Sequence, residues 1–323
     1  MSALVILLAV VLTATMGYAV QRGATCTVAA VGEVLNQRRA HRLMALLEAA
    51  LWVLGGLLLL QYLQVMPPMP GGYRVTAYTV AGAALLGVGA AVNRACVFGA
   101  IARFGSGEWA YLASPVGFYL GSLLAQAPLA RFPAQPLQEP SPVWQAPLFV
   151  LLLIAVWMAW RVIEVLLSLR ARNANDPPWA KALAQKVWSP HHATLVIGVT
   201  FLLMFWLMGP WAYTDVLAEW SRGETHNFGT RLLLLLALLG GAALGGWTAG
   251  RFKHIAISFG AVTRCLLGGA LMGAGSLLIP GSNDGLILTG LPLLWPHAWV
   301  AFAVMCTTIG IYLRAEKRLQ GSK

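Results

Sequence analysis

The chain has 323 residues, of which 59% are hydrophobic and 10% charged, with 22 Lys and Arg against 11 Asp and Glu. A soluble domain holds about a quarter charged residues, so the composition excludes an ordinary globular enzyme, a disordered chain and a disulfide-stapled secreted module. What remains is an all-α polytopic membrane protein, in which a net charge of +11 reports on loops and not on nucleic acid.

Nine apolar segments have the length that a bilayer crossing needs. They run over 2–20, 43–64, 75–92, 109–127, 147–168, 192–210, 230–250, 260–279 and 296–313. No basic residue precedes the first, which is expected to remain as a span and not to be cleaved as a signal. Glu48 and Glu164 fall near span ends, where a carboxyl reaches the interface or pairs with a cation. An odd number of spans puts the termini on opposite sides. With the N-terminus outside, the connectors 21–42, 93–108, 169–191 and 251–259 and the C-terminal tail face inward. Together with Arg161 and Arg264 at inner span ends, they hold 18 of the 22 basic residues. Only Arg74, Arg131, Arg222 and Arg231 fall outside, and this asymmetry predicts an N-out, C-in topology.

A repeat runs through the apolar segments. Gly82-Ala83-Ala84-Leu85-Leu86-Gly87-Val88-Gly89 lies on Gly268-Gly269-Ala270-Leu271-Met272-Gly273-Ala274-Gly275 at a constant offset of 186, and the same register sets Cys96 on Ser282 and Gly99 on Gly285. A weaker match sets Met16-Gly17 on Met208-Gly209 and Arg42-Leu43 on Arg231-Leu232. The expected organisation is a single transmembrane domain over 1–323. Its pseudo-repeats cover about 1–127 and 192–313, joined by a linking helix at 147–168, so that the second half is inverted. Inverted repeats place transporter binding sites at their interface near the midplane. Small-residue spacing of this kind also packs helices closely.

Three connectors are too apolar for solvated loops: Gly23–Gly32, Asn93–Ala102 and Pro280–Leu288. Each couples a small-residue break to a short apolar stretch, as a re-entrant half-helix would. Such backbone is tolerated at membrane depth only where protein or a water-filled cavity satisfies it, and half-helix N-termini facing a cavity favour an anion. Cys26 and Cys96 sit at the first two breaks and Ser282 holds the matching place in the third. A thiol at a helix start beside Arg22 or Arg94 is chemically available. Asn283 and Asp284 follow Ser282, and Asp284 is either a site residue or a cap for 285–294. Arg22 and Arg94 are either anion ligands or plain inner anchors. The candidate substrate-binding set is therefore Cys26, Cys96, Ser282, Asn283, Asp284 and Arg94. Cys265 and Cys306 read as packing residues, His191 and His192 as interfacial, and Trp109, Trp188 and Trp295 as parts of the aromatic belts. With no Cys-x-x-Cys pair and no His, Cys and carboxylate cluster, neither disulfide exchange nor a metal is expected.

Gln21-Arg22-Gly23-Ala24-Thr25-Cys26, the Gly87–Gly107 stretch around Asn93-Arg94-Ala95-Cys96-Val97-Phe98-Gly99, and Gly268–Gly285 resemble the YeeE/YedE family of membrane proteins. Characterised members of that family import thiosulfate. The resemblance implies a pseudo-symmetric fold of about nine transmembrane helices with short helices entering from both faces. It also implies an inner-membrane location, no cofactor, and a line of thiols that passes a sulfur anion inward, with Cys96 central and Cys26 inner. A small cytoplasmic sulfurtransferase of the TusA type is the implied partner. The family's third turn reads Gly-Cys-Thr-x-Gly-His, whereas here it is Gly281-Ser282-Asn283-Asp284-Gly285-Leu286. The outer thiol is thus a hydroxyl, which still donates a hydrogen bond but has no thiol chemistry. Two other readings stay open: a membrane-integral sulfur-handling thiol enzyme or subunit that forms a persulfide, and a scaffold subunit whose glycines only pack helices.

Overall fold

The computed structural model describes residues 2–132, 134–170, 187–253 and 255–321. Arg172, Lys181, Lys186 and Lys323, assigned above to the inner side, lie outside the described residues. The described chain is helical, with one isolated bridge between Tyr73 and Pro136. Two sets of six helices each run in the order long, short, long, long, short, long. The first set comprises α1 (Ala3–Gly23), α2 (Thr27–Gln37), α3 (His41–Tyr62), α4 (Ala77–Asn93), α5 (Val97–Gly105) and α6 (Ala113–Leu129). Helix α7 (Leu148–Arg170) follows. The second set comprises α8 (Pro190–Met208), α9 (Tyr213–Ser221), α10 (Phe228–Thr248), α11 (Phe259–Leu278), α12 (Asn283–Gly285, continued by a π-helical turn at Leu286–Gly290) and α13 (Pro296–Gly321).

Among the described residues, eight helical runs are long and apolar enough to cross a membrane, and two of them join a long helix to the short one after it, over Ala3–Gln37 and Ala77–Gly105. The ninth expected segment, 109–127, opens as a 3₁₀ turn at Trp109–Leu112 and becomes α6, which has 17 residues. Leu, Ala, Val and Gly fill these helices because in a bilayer each backbone N–H and C=O must be satisfied within its own segment. Cap residues mark several starts: the side chains of Ser2, Thr76, Ser189 and Ser258 each accept a first-turn amide.

The two six-helix sets pack in matching ways. Helix α1 lies on α10 as α8 lies on α3, and α6 lies on α11 as α13 lies on α4. Helix α9 meets α6 as α2 meets α13. At the centre α4 crosses α11 through the glycines of the repeated segment. A Cβ on Gly82 would sit 2.7 Å from the Gly275 carbonyl oxygen, and one on Gly89 would sit 2.7 Å from that of Gly268. The contacts exchange under the offset of 186 (82 with 275, 89 with 268), as two antiparallel helices related by a two-fold axis require. Among the described residues, helix α7 packs chiefly against α3 and keeps an apolar outer face, with Leu153 and Val156 exposed. Its Arg161 donates to Glu48 of α3 from Nε at 2.9 Å.

Candidate functional site

Each short helix starts at a break, and the four starts share one construction. Helices α2, α5, α9 and α12 have Cys26, Cys96, Ala212 and Ser282 as N-cap residues, all in extended backbone and none capping with its own side chain. Before each N-cap the chain turns through a positive φ: Ala24 at 47°, Arg94 at 60°, Gly209 at 86° and Gly281 at 144°. The offset of 186 carries Cys26 onto Ala212 as it carries Cys96 onto Ser282. The register found in the glycine segments therefore holds in the first part of each set as well, and the weaker pairing of Met16-Gly17 with Met208-Gly209 does not follow it.

The four first turns bond to one another in a ring. The Thr27 amide of α2 donates to Cys96 Sγ at 3.1 Å, and Thr27 Oγ1 donates to Asn283 Oδ1 at 3.1 Å. On the other side of the ring, Tyr213 Oη donates to the Val97 carbonyl at 3.0 Å. The Thr214 hydroxyl and amide of α9 both donate to the Asp284 carboxylate, the amide at 3.5 Å. Cys96 and Asp284 thus supply, across the helix starts, the acceptors that α2 and α9 lack at their own N-caps. Amides at helix starts are otherwise orphan donors, and buried ones need a partner.

The ring is buried. Cys96, Ser282 and Asn283 have no exposed surface, and Asp284 is 2% exposed. Ser282 Oγ and Asn283 Nδ2 have no hydrogen-bond partner among the described residues. Buried polar atoms without partners are rare and point to a ligand or a strained site. Cys26 immediately precedes Thr27, whose amide bonds Cys96 Sγ, so the two thiols stand at adjoining helix starts, and both are free. Gly99 makes room for Cys26, since a Cβ there would meet Cys26 Sγ at 2.5 Å.

Two cavities approach the ring from opposite ends of the helices. One, of about 260 Å³, is lined by Cys26, Gly99, Arg42, Arg94 and Arg103. The other, of about 520 Å³, is lined by Asp215, Arg222, Gly281, Gly285, Tyr73 and His297. Between them stand the two thiols, the Ser282 hydroxyl and the Asn283 amide. Of the three arginines at one mouth, Arg94 and Arg103 are paired with Glu316 and Glu108; the remaining positive balance favours an anion, and the donors of the ring can take over part of its hydration shell.

Five of the six expected site residues come together here: Cys26, Cys96, Ser282, Asn283 and Asp284. Arg94 does not reach the ring. It stands at the mouth of the smaller cavity, paired with Glu316 at 3.4 Å and more than half exposed. Arg22 is neither a mouth residue nor a surface anchor: it is 1% exposed and donates to Tyr18 Oη and Thr248 Oγ1 at 2.7 Å each. Asp284 binds its own Gly285 amide at 3.1 Å but chiefly ties down α9. His191 pairs with Glu48 of α3, and Trp295 is buried beneath Gly72 instead of standing in a belt. Helix α9, with Tyr213, Thr214 and Asp215, was not foreseen. Two signals for it exist in the sequence: the Gly209-Pro210 break, and the offset of 186 applied to Cys26.

No curated protein matches this sequence. The family model for sulphur transport matches residues 22–312, which include all four breaks, the helices from α2 to α12 and most of α13. With that match over most of its length, the chain belongs to the YeeE/YedE sulphur transport family.

Proposed function

We propose that the chain takes up thiosulfate or a closely related sulfur anion across the cell inner membrane. The path leads from the larger cavity past Ser282 and Asn283 to Cys96, then to Cys26 and the arginine-lined cavity. The observation that carries this reading is the pair of cavities on either side of a buried ring whose Ser282 hydroxyl and Asn283 amide have no partner among the described residues. The two six-helix sets are read as an inverted repeat about that ring, with the N-terminus outside and the C-terminus in the cytoplasm. In this orientation the three arginines face the cytoplasm and the larger cavity faces outward.

Moving a dianion inward against an inside-negative potential costs about 4.6 kcal/mol per 100 mV, twice the single-charge value. Uptake then needs a gradient, a coupled ion or rapid consumption inside. A TusA-like sulfurtransferase at the basic inner face would act as the consumer. Labelled thiosulfate uptake into cells carrying wild type and Cys96→Ala tests the path. Uptake in the variant is expected to fall by about tenfold or more, equivalent to the loss of one hydrogen-bond-sized contribution to the barrier. Equal uptake by the two would remove Cys96 from the path.

The placement of two free thiols, Cys26 and Cys96, at adjoining helix starts favours one second reading, a covalent step. A thiolate would attack the outer sulfur of thiosulfate, sulfite would leave with the bonding pair, and a cysteine persulfide would remain. Mass spectrometry after exposure to thiosulfate separates the two. An adduct of one sulfur on Cys26 or Cys96 supports the covalent route, and unmodified thiols during active uptake support a hydrogen-bond relay.

A further inference from the structure

The outer side of the ring differs in kind from the inner side. Under the offset of 186, Val28, Ala29 and Phe98 of the first set correspond to Thr214, Asp215 and Asp284 of the second. An apolar trio on one side is therefore matched by a hydroxyl and two carboxyls on the other, on the side where an incoming anion is least served by negative charge. Asp284 is held by three donors: the Thr214 hydroxyl, the Thr214 amide and the Gly285 amide. Donors of this kind favour the charged form of a carboxyl. Asp215 lies directly alongside. Its Oδ2 would be 3.0 Å from a Cβ on Gly285, and it lines the outer cavity. The Ser282 hydroxyl, fully buried and without a partner among the described residues, belongs to the same group, since Ser282 immediately precedes Asn283-Asp284 and its backbone faces Asp215.

We propose that Asp215 and Asp284 form a proton site, at which Asp215 takes up one proton from the outer cavity for each anion that passes Ser282. This rests on the transport reading above and names its coupling ion. Two neighbouring carboxyls in a poorly solvated site do not both ionise readily, and Asp284 has the donors. Asp215 has few charges to offset its own. Glu219 of α9 is paired with Arg231, and Arg222, the cation that acts on Asp215 across the outer cavity, is shared with Glu224, to which it donates at 2.8 Å. Helix α6, packed along α9, brings Tyr119 and no charged residue, and α11 has Arg264 and Cys265 only near its start. Tyr213 adjoins the pair, while Tyr73 and His297 stand at the cavity wall. A sodium ion is a poorer occupant, because the Asp284 oxygens already accept N–H and O–H groups, whereas a metal needs free oxygen ligands. Protonated Asp215 admits the anion. The proton then leaves with it on the inner side, so that one net negative charge moves for each dianion instead of two.

The test uses the full chain in proteoliposomes with a pH dye inside, labelled thiosulfate outside and the potential clamped. Interior acidification is expected to accompany thiosulfate entry at about one proton per anion. Accumulation at equilibrium is expected to rise about tenfold for each pH unit of outside-acid gradient. In Asp215→Asn, thiosulfate entry should lose both the acidification and the response to the gradient. Asp284→Asn serves as the second variant, with the same expected loss of response. Entry in wild type with no acidification would overturn the proton site and leave the transport reading standing, as would acidification that persists in Asp215→Asn or accumulation that follows a sodium gradient. If the wild-type protein admits no thiosulfate, the transport reading falls and the proton site with it.

Discussion

At the scale of single residues, the ring is sensitive to atoms that would be minor elsewhere. Gly99 stands against Cys26, and a methyl group there would meet the sulfur at 2.5 Å and the Cys26 Cβ at 3.0 Å. Gly99→Ala must displace the thiol or shift α5, and overpacking of this kind costs about 1–3 kcal/mol. Thermal unfolding in detergent should show the loss, and thiosulfate uptake should fall with it. Gly240→Ala is the matched control, because a Cβ at that position meets nothing within 4 Å, and its uptake should equal wild type. Asp284 gives a second residue-scale prediction. Asp284→Ala removes the acceptor of the Thr214 hydroxyl and amide, and each buried donor left unsatisfied costs about 1–3 kcal/mol. Asp284→Asn keeps one acceptor oxygen, so its unfolding temperature should lie between those of Asp284→Ala and wild type. Equal unfolding temperatures for all three proteins would mean that Asp284 does not hold α9.

At the scale of helices, the crossing of α4 and α11 depends on missing side chains. Gly82 and Gly89 meet the backbone of Gly275 and Gly268 at distances that no Cβ accommodates. Gly82→Ala should therefore lower stability by about 1–3 kcal/mol, even though alanine favours a helix over glycine by about 1 kcal/mol. An unchanged or raised unfolding temperature would show that the two helices do not approach so closely. The same glycines made the repeat legible in the sequence, since close backbone approach leaves a pattern in residue identity. The long helices were legible from length and apolarity, and α2 and α5 from connectors too apolar to be loops. Helix α9 was not. Its N-cap is Ala212, its face carries Thr214, Asp215 and Glu219, and such a stretch after Pro210 reads as a solvated outer connector. The ring bonds were beyond local reading for another reason: Thr27 and Asn283 are 256 positions apart, and Tyr213 and Val97 are 116 apart. Spacing in a sequence shows which residues share a helix face, but not which of four separate turns will meet.

At the scale of the whole molecule, the arrangement makes access one-sided. Cys26 opens onto the smaller cavity with its three arginines, and Cys96 behind it has no exposed surface. The larger cavity stops at Gly281, Gly285 and Asp215. A charged thiol reagent that does not cross the bilayer should therefore reach Cys26 from one face only, which is the cytoplasmic face in the proposed N-out orientation. An anionic reagent should react faster than a cationic one of the same size, because Arg42, Arg94 and Arg103 raise the local concentration of anions, and added salt should narrow the difference. In a background of Cys265→Ser and Cys306→Ser, inside-out vesicles are expected to label Cys26 and right-side-out vesicles to leave it unlabelled. Thiosulfate in excess should slow the labelling if it occupies the same cavity. Labelling of Cys26 from the outer face alone would reverse the assigned orientation. Equal labelling from both faces would mean that the four-turn ring is open, and a passage open to both sides at once could hold no gradient of the anion or of a coupled proton.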